Sequence, residues 1–144
     1  MLRLLKFLQF SLADKQLLLH SLLTVAWIRL ALSVLPFRIW QPLLASLTPP
    51  PAASATADPG FVQHVVWAVR SVSRLVPAAT CLTQALATRV LLRRYGVVTR
   101  LQIGVLKDAQ GQFHAHAWVE YRGSVIIGGS DSLGQYSVLP PLKR

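Results

Sequence analysis

Two residue types in this chain can do nucleophilic chemistry together. Cys81 is the only cysteine, and His114 and His116 are two of the four histidines. A thiolate is a strong nucleophile where a thiol is not. An imidazole within reach can take the thiol proton and later return it to a leaving amine. A lone Cys with a His elsewhere in the sequence fits that pairing. The same residues have plainer readings. A lone Cys on an apolar helix commonly serves as a small buried hydrophobe. Two His at i and i+2 also fit a solvent-facing strand, or half of a metal site that lacks further obvious ligands.

The segments around these residues have the periods needed to hold them. From Cys81 onward, Leu82, Ala85, Leu86, Arg89 and Val90 fall at helical spacing and Gly96 supplies a stop. Thr80 is a natural N-cap, which places the sulfur in the first turn, where unpaired backbone N–H groups and the helix dipole favour a thiolate. The period then switches to two. Val98 to Leu106 alternates as a half-buried strand, Asp108-Ala-Gln-Gly111 reads as a hairpin turn, and Phe113 to Tyr121 is the next strand. His114, His116, Trp118 and Glu120 share one face of it and Phe113, Ala115, Ala117 and Val119 the other. Arg122-Gly123 turns into a third strand, Ser124 to Ile127, and the tail from Ser130 reads as irregular. Helices followed by an antiparallel meander predict an α+β fold.

Upstream, residues 12–35 read as one long apolar helix, capped by Ser11 and ended by Pro36. The uncharged run Gln16 to Ile28 is shorter than the roughly 20 apolar residues a membrane span needs, and Arg29 interrupts its extension. The helix is therefore expected to pack on the domain or on a partner, with peripheral membrane contact as the alternative. Asp14 and Lys15 break the pattern of a signal peptide. Trp40, Leu43, Leu44 and Leu47 suggest a short second helix with Pro42 in its first turn. The Pro/Ala-rich stretch 48–60 reads as an exposed linker, and Phe61 to Leu75 as a further helix ended by Pro77. The expected organisation is a helical segment over residues 1–47, the linker, and a catalytic domain over residues 61–144.

Composition bounds the function. The 144 residues suffice for one core. One cysteine leaves no internal disulfide and no CxxC zinc site, so no structural metal is expected; no cofactor is expected either. Fifteen Lys and Arg against five Asp and Glu give a net charge of +10. That balance suits an acidic partner, an anionic membrane surface, or simply a basic surface that keeps an apolar chain soluble. The basic residues are scattered, with no aromatic-interleaved stripe, so no nucleic-acid partner is expected. A free thiol and no credible signal peptide fit the cytoplasm.

The segments Cys81-Leu-Thr-Gln-Ala-Leu-Ala, Leu91-Leu-Arg-Arg-Tyr-Gly96, Leu101-Gln-Ile-Gly-Val105, Phe113-His-Ala-His-Ala-Trp-Val-Glu120 and Val125-Ile-Ile-Gly128 together resemble a known family. It is the transglutaminase-like cysteine peptidase of lasso-peptide biosynthesis, found in bacterial microcin-type gene clusters. The resemblance covers residues 61–142, and the Leu-rich N-terminal helix ending in Leu-Pro-Phe-Arg looks like the family's short stand-alone form. It implies a transglutaminase-like (papain-like) fold and removal of the leader from a ribosomally made precursor, so that a separate ATP-dependent cyclase can close a macrolactam. A separate PqqD-like protein is the implied leader-recognition partner. Cys81 carries over as nucleophile and His116, before Ala117-Trp118, as general base.

The acid that the resemblance expects on the next strand falls at Gly128. Asp131, three residues on, is the carboxylate assigned in its place, reaching in if the glycines bulge the strand. A turn role for Asp131 is the alternative. Glu120 is four residues from His116, about 13 Å along a strand, too far for a direct bond. Gln84 and Trp118 are candidates for the substrate cleft. Two other functions stay open: a non-catalytic scaffold with a degenerate domain, and an amide acyltransferase in which an amine replaces water at the acyl-enzyme.

Overall fold

The computed structural model describes residues 8–36, 39 and 57–140. Among these residues three long helices come first: α1 (Leu12–Val34), α2 (Pro59–Ser73) and α3 (Cys81–Arg94). Four strands follow: β1 (Arg100–Lys107), β2 (Phe113–Tyr121), β3 (Ser124–Ile127) and β4 (Ser137–Val138), with a 3-10 turn, Leu133–Gln135, before the last. The expected α+β class is observed. The short helix expected around Leu43 and most of the Pro/Ala-rich linker lie outside the described residues.

Local chemistry sets each helix end. At α1 the Ser11 hydroxyl accepts from the Asp14 amide (3.2 Å), while the Asp14 carboxylate accepts from the Ser11 amide (3.3 Å) and hydroxyl (2.8 Å). This is a reciprocal capping box. Helix α2 starts at Pro59, two residues before the expected Phe61, because a first-turn proline lacks only an N–H that has no helical partner. Helix α3 is capped by Thr80 and closed by Gly96 at φ 75°.

Helix α3 is the centre of the molecule. It packs against α1 and α2 on one side and against β1, β2 and β3 on the other. Leu86, Leu91 and Leu92 are at most 1% exposed, each contributing about 1.5–3 kcal/mol by burial. Ala85 and Ala87, both fully buried, let neighbouring elements approach its axis. The inner face of α1 (Leu17, Leu18, Val25, Ile28) joins the same core as α2 and α3.

The sheet order is β3-β2-β1-β4. In the β1–β2 hairpin Ile103 pairs with Ala117 and Gly104 with His116. Asp108 closes the turn, its Oδ1 accepting from the amides of Gln110 and Gln112 at 2.9 Å each. The β2–β3 turn has two positive φ angles, Arg122 at 51° and Gly123 at 79°, the twist a two-residue hairpin favours. Leu101, Ile103, Ala117, Val119 and Ile127 pack with the helices, so alternation places Gln102, Gly104, His116 and Trp118 on the other face.

The tail is not wholly irregular. Strand β4 pairs with β1 through Gly104–Val138 and Val105–Ser137, and the Leu139 amide donates to the Ile103 carbonyl (2.8 Å). The meander therefore gains a fourth strand on the far side of β1. A two-residue strand carries too few alternations to register as a period.

Candidate active site

His116 is held by the main chain. Its Nε2 lies 2.6 Å from the Gly128 carbonyl oxygen. A carbonyl only accepts, so Nε2 carries the proton and the neutral ring keeps its basic lone pair on Nδ1. The ring also lies against Trp118 (centroids 6.1 Å, planes 26° apart) and Tyr136 (5.6 Å). Trp118, 4% exposed, donates its indole N–H to Glu120 Oε1 at 3.1 Å, so both ring and polar edge are fixed.

Two glycines make this cluster. Gly128 has φ 81°, and a Cβ there would stand 2.5 Å from the Ala117 carbonyl oxygen and 2.9 Å from Trp118 Cα. No side chain fits, and the backbone brings its carbonyl to the imidazole instead. Gly104 faces His116 across the hairpin; a Cβ there would meet Tyr136 Cβ at 2.8 Å and the Trp118 ring at 3.0 Å. Its bare backbone leaves the space that both rings fill.

Cys81 is the first residue of α3 and half-buried, packed against the edge of the core. Thr80 Oγ1 accepts from the Thr83 amide, and the Thr80 carbonyl from the Gln84 amide. The amides of Cys81 and Leu82 precede the first amide bonded to a helical carbonyl, that of Gln84, and no hydrogen bond from either is found among the described residues. The turn that leads in contains Ala78 at φ 57°, a left-handed conformation that is uncommon for a residue with a Cβ.

The structure brings His116, Trp118, Gly128 and Tyr136 together. Cys81 lies in the helical layer, and among the described residues no hydrogen bond joins its sulfur to His116. Asp131 is exposed in the turn after β3, and no hydrogen bond of its side chain is found among the described residues. Gln84 is half-buried one turn into α3. Trp118 stands behind His116 rather than on an open wall. His114 is engaged elsewhere, donating to Asp108 Oδ2 at 2.7 Å. That bond, with the Gln112 and Gln110 amides, holds the Asp108 carboxyl below its ordinary value. Among the described residues no group of three His, Cys, Asp or Glu side chains could hold a metal ion.

Three contributors escaped the sequence reading: the Gly128 carbonyl, Gly104 and Tyr136. The two glycines gave a signal, one inside a strand and one where an acid was expected, since such glycines often mark a close backbone approach. Tyr136 gave none.

No curated protein and no solved structure matched the chain. A family model described as the transglutaminase-like superfamily matches residues 21–140, from within α1 to the end of the described sheet. That superfamily generally comprises cysteine peptidases and transferases. A single Cys opening the central helix and a fixed His on an antiparallel strand accord with it, and by that match the chain belongs to the transglutaminase-like superfamily.

Proposed function

We propose that this protein is a cysteine peptidase that removes the leader from a lasso-type ribosomal precursor. Cys81 is the nucleophile, His116 the general base, and the Gly128 carbonyl the group that orients the ring. The observation that carries the reading is the 2.6 Å contact from His116 Nε2 to the Gly128 oxygen. It fixes the tautomer with Nδ1 free, as a base must be.

In the proposed reaction Nδ1 takes the Cys81 proton and the thiolate attacks the scissile carbonyl carbon. The oxygen gains the negative charge beside the Cys81 and Leu82 amides. Collapse breaks the C–N bond as the imidazolium returns its proton to the leaving amine, and water then cleaves the thioester by the same route. In this reading the imidazole, which lies on the face of β2 away from the helices, reaches the start of α3 only in the substrate complex. Asp131 is the carboxylate available to add to the Gly128 carbonyl if the turn folds inward. Leader recognition falls to a PqqD-like partner, the freed product goes to a cyclase, and the setting is the cytoplasm.

The test is mass spectrometry of a lasso-type precursor incubated with this protein and its leader-binding partner. Wild type is expected to release the leader, and Cys81→Ala and His116→Ala to lose cleavage while keeping the wild-type circular dichroism. Cleavage that survives Cys81→Ala would refute the peptidase. Transfer of an added amine to the product in place of water would identify an acyltransferase.

A further inference from the structure

Helix α1 is apolar on the side that faces away from the protein. Leu12 (79%), Leu19 (55%), Leu23 (59%), Trp27 (70%), Leu30 (57%) and Val34 (69%) are all exposed. At 3.6 residues per turn they fall within an arc of roughly 80°, and the stripe runs about 33 Å along the axis. The buried residues Leu17, Leu18, Ser21, Val25 and Ile28 occupy the opposite arc. The helix thus carries apolar residues on two opposite sides, with Gln16 the one polar residue inside the exposed stripe, a pattern closer to membrane-associated helices than to ordinary surface ones. Its inner half is already taken by α2 and α3.

We infer that this stripe docks on an anionic lipid surface, with α1 lying in the plane of the headgroups and the rest of the domain above it. Charge complementarity selects the occupant. The chain carries +10, no acidic side chain lies in the stripe, and Lys15 lies beside it, while Arg29 sits nearer the packed face and donates to the Ser33 hydroxyl. Anionic headgroups attract such a surface while the leucines enter the acyl boundary. Trp27 stands in the stripe, and an indole prefers that interfacial depth. With Arg29 counted inside the span, the helix is by length and composition alone long and apolar enough to cross a membrane. A spanning helix would have to give up its packing on α2 and α3 and carry Arg29 into the hydrocarbon, which disfavours that placement. The in-plane arrangement keeps the fold intact. It is independent of the chemistry at Cys81.

The experiment is co-sedimentation of the full chain with vesicles of phosphatidylcholine alone or mixed with phosphatidylglycerol. The comparison is wild type against the triple variant Leu19→Gln, Leu23→Gln, Leu30→Gln. All three positions are exposed, so the variant is expected to keep the wild-type circular dichroism. Wild type should pellet with the anionic vesicles, bind neutral ones about tenfold less, and blue-shift its tryptophan emission on binding. The variant should stay in solution, and an alkaline wash should release bound wild type. No sedimentation of wild type, equal sedimentation of the variant, or retention through the wash would overturn the proposal. So would a wild-type dimer in gel filtration that the variant abolishes with no lipid binding by either, since the stripe would then belong to a second copy.

Discussion

Replacing Gly128 by alanine tests the geometry on which the site depends. At φ 81° an L-residue pays the left-handed penalty of about 1–2 kcal/mol. The new Cβ would also start 2.5 Å from the Ala117 oxygen and 2.9 Å from Trp118 Cα. Both are main-chain atoms of a strand paired on both sides, so relief requires the backbone to shift. Forced overlap of this kind costs about 1–3 kcal/mol. The sum, roughly 2–5 kcal/mol, is a large share of a typical stability of about 5–15 kcal/mol. In urea, with a slope of about 2 kcal/mol/M, the midpoint should fall by roughly 1–2.5 M. Because the shift carries the Gly128 carbonyl away from His116, the proposed leader cleavage should fall even under conditions where the variant is folded. Gly128→Asp is the sharper companion. It installs the acid the resemblance expects at this position, yet the same overlap predicts loss of stability and activity. Unfolding of Gly128→Ala at the wild-type midpoint, or Gly128→Asp more active than wild type, would show that the left-handed glycine is not what holds the carbonyl against His116.

Three further outcomes follow. Asp14 is held below its ordinary value of 3.8, chiefly by the Ser11 hydroxyl and then by His64; Asp108 is held below the same value, chiefly by His114. A carboxylate with a depressed folded value stabilises above its unfolded value, and that stability is lost as pH falls through the folded one. The unfolding temperature should therefore drop as pH is lowered below about 4, and Asp14→Asn with Asp108→Asn should flatten that profile. Thr80→Ala removes the α3 cap and should cost about 0.5–1 kcal/mol by urea unfolding, the low end because the 3.5 Å cap bond is long. Finally, His116→Cys offers Cys81 a disulfide partner. Disulfides need Cβ atoms about 3.5–4.5 Å apart, so cross-linking by an added mild oxidant, followed by intact mass, should be slow in the free protein and speed up when the proposed precursor and leader-binding partner are added; a rate indifferent to them would count against the proposed closure on substrate.

Much of the fold is fixed by local pattern. The Ser11 cap, the 23-residue α1, the Thr80 cap ahead of Cys81, the Asp108 turn and the two strands Phe113–Tyr121 and Ser124–Ile127 all follow from short-range chemistry that needs no partner. A capping hydroxyl or a period-two alternation acts within a few residues, so the chain states it directly. The nucleophile and base candidates are legible for the same reason, as residue types placed on recognisable elements.

What lies between distant residues was decided by the tertiary structure. That Gly128 presents a carbonyl to His116 depends on β3 lying beside β2 with a left-handed glycine at its end, a contact made twelve residues apart. That Tyr136 covers the imidazole depends on β4 returning to β1 over the bare backbone of Gly104, which no period in the tail announces. The two sides of α1 are also indistinguishable in sequence, since leucines line both. Only packing against α2 and α3 buries Leu17 and Leu18 and leaves Leu19 and Leu23 exposed. Sequence determines which groups are available and how each element begins and ends; tertiary packing determines which groups meet, because burial and close approach belong to pairs of elements and not to either one alone.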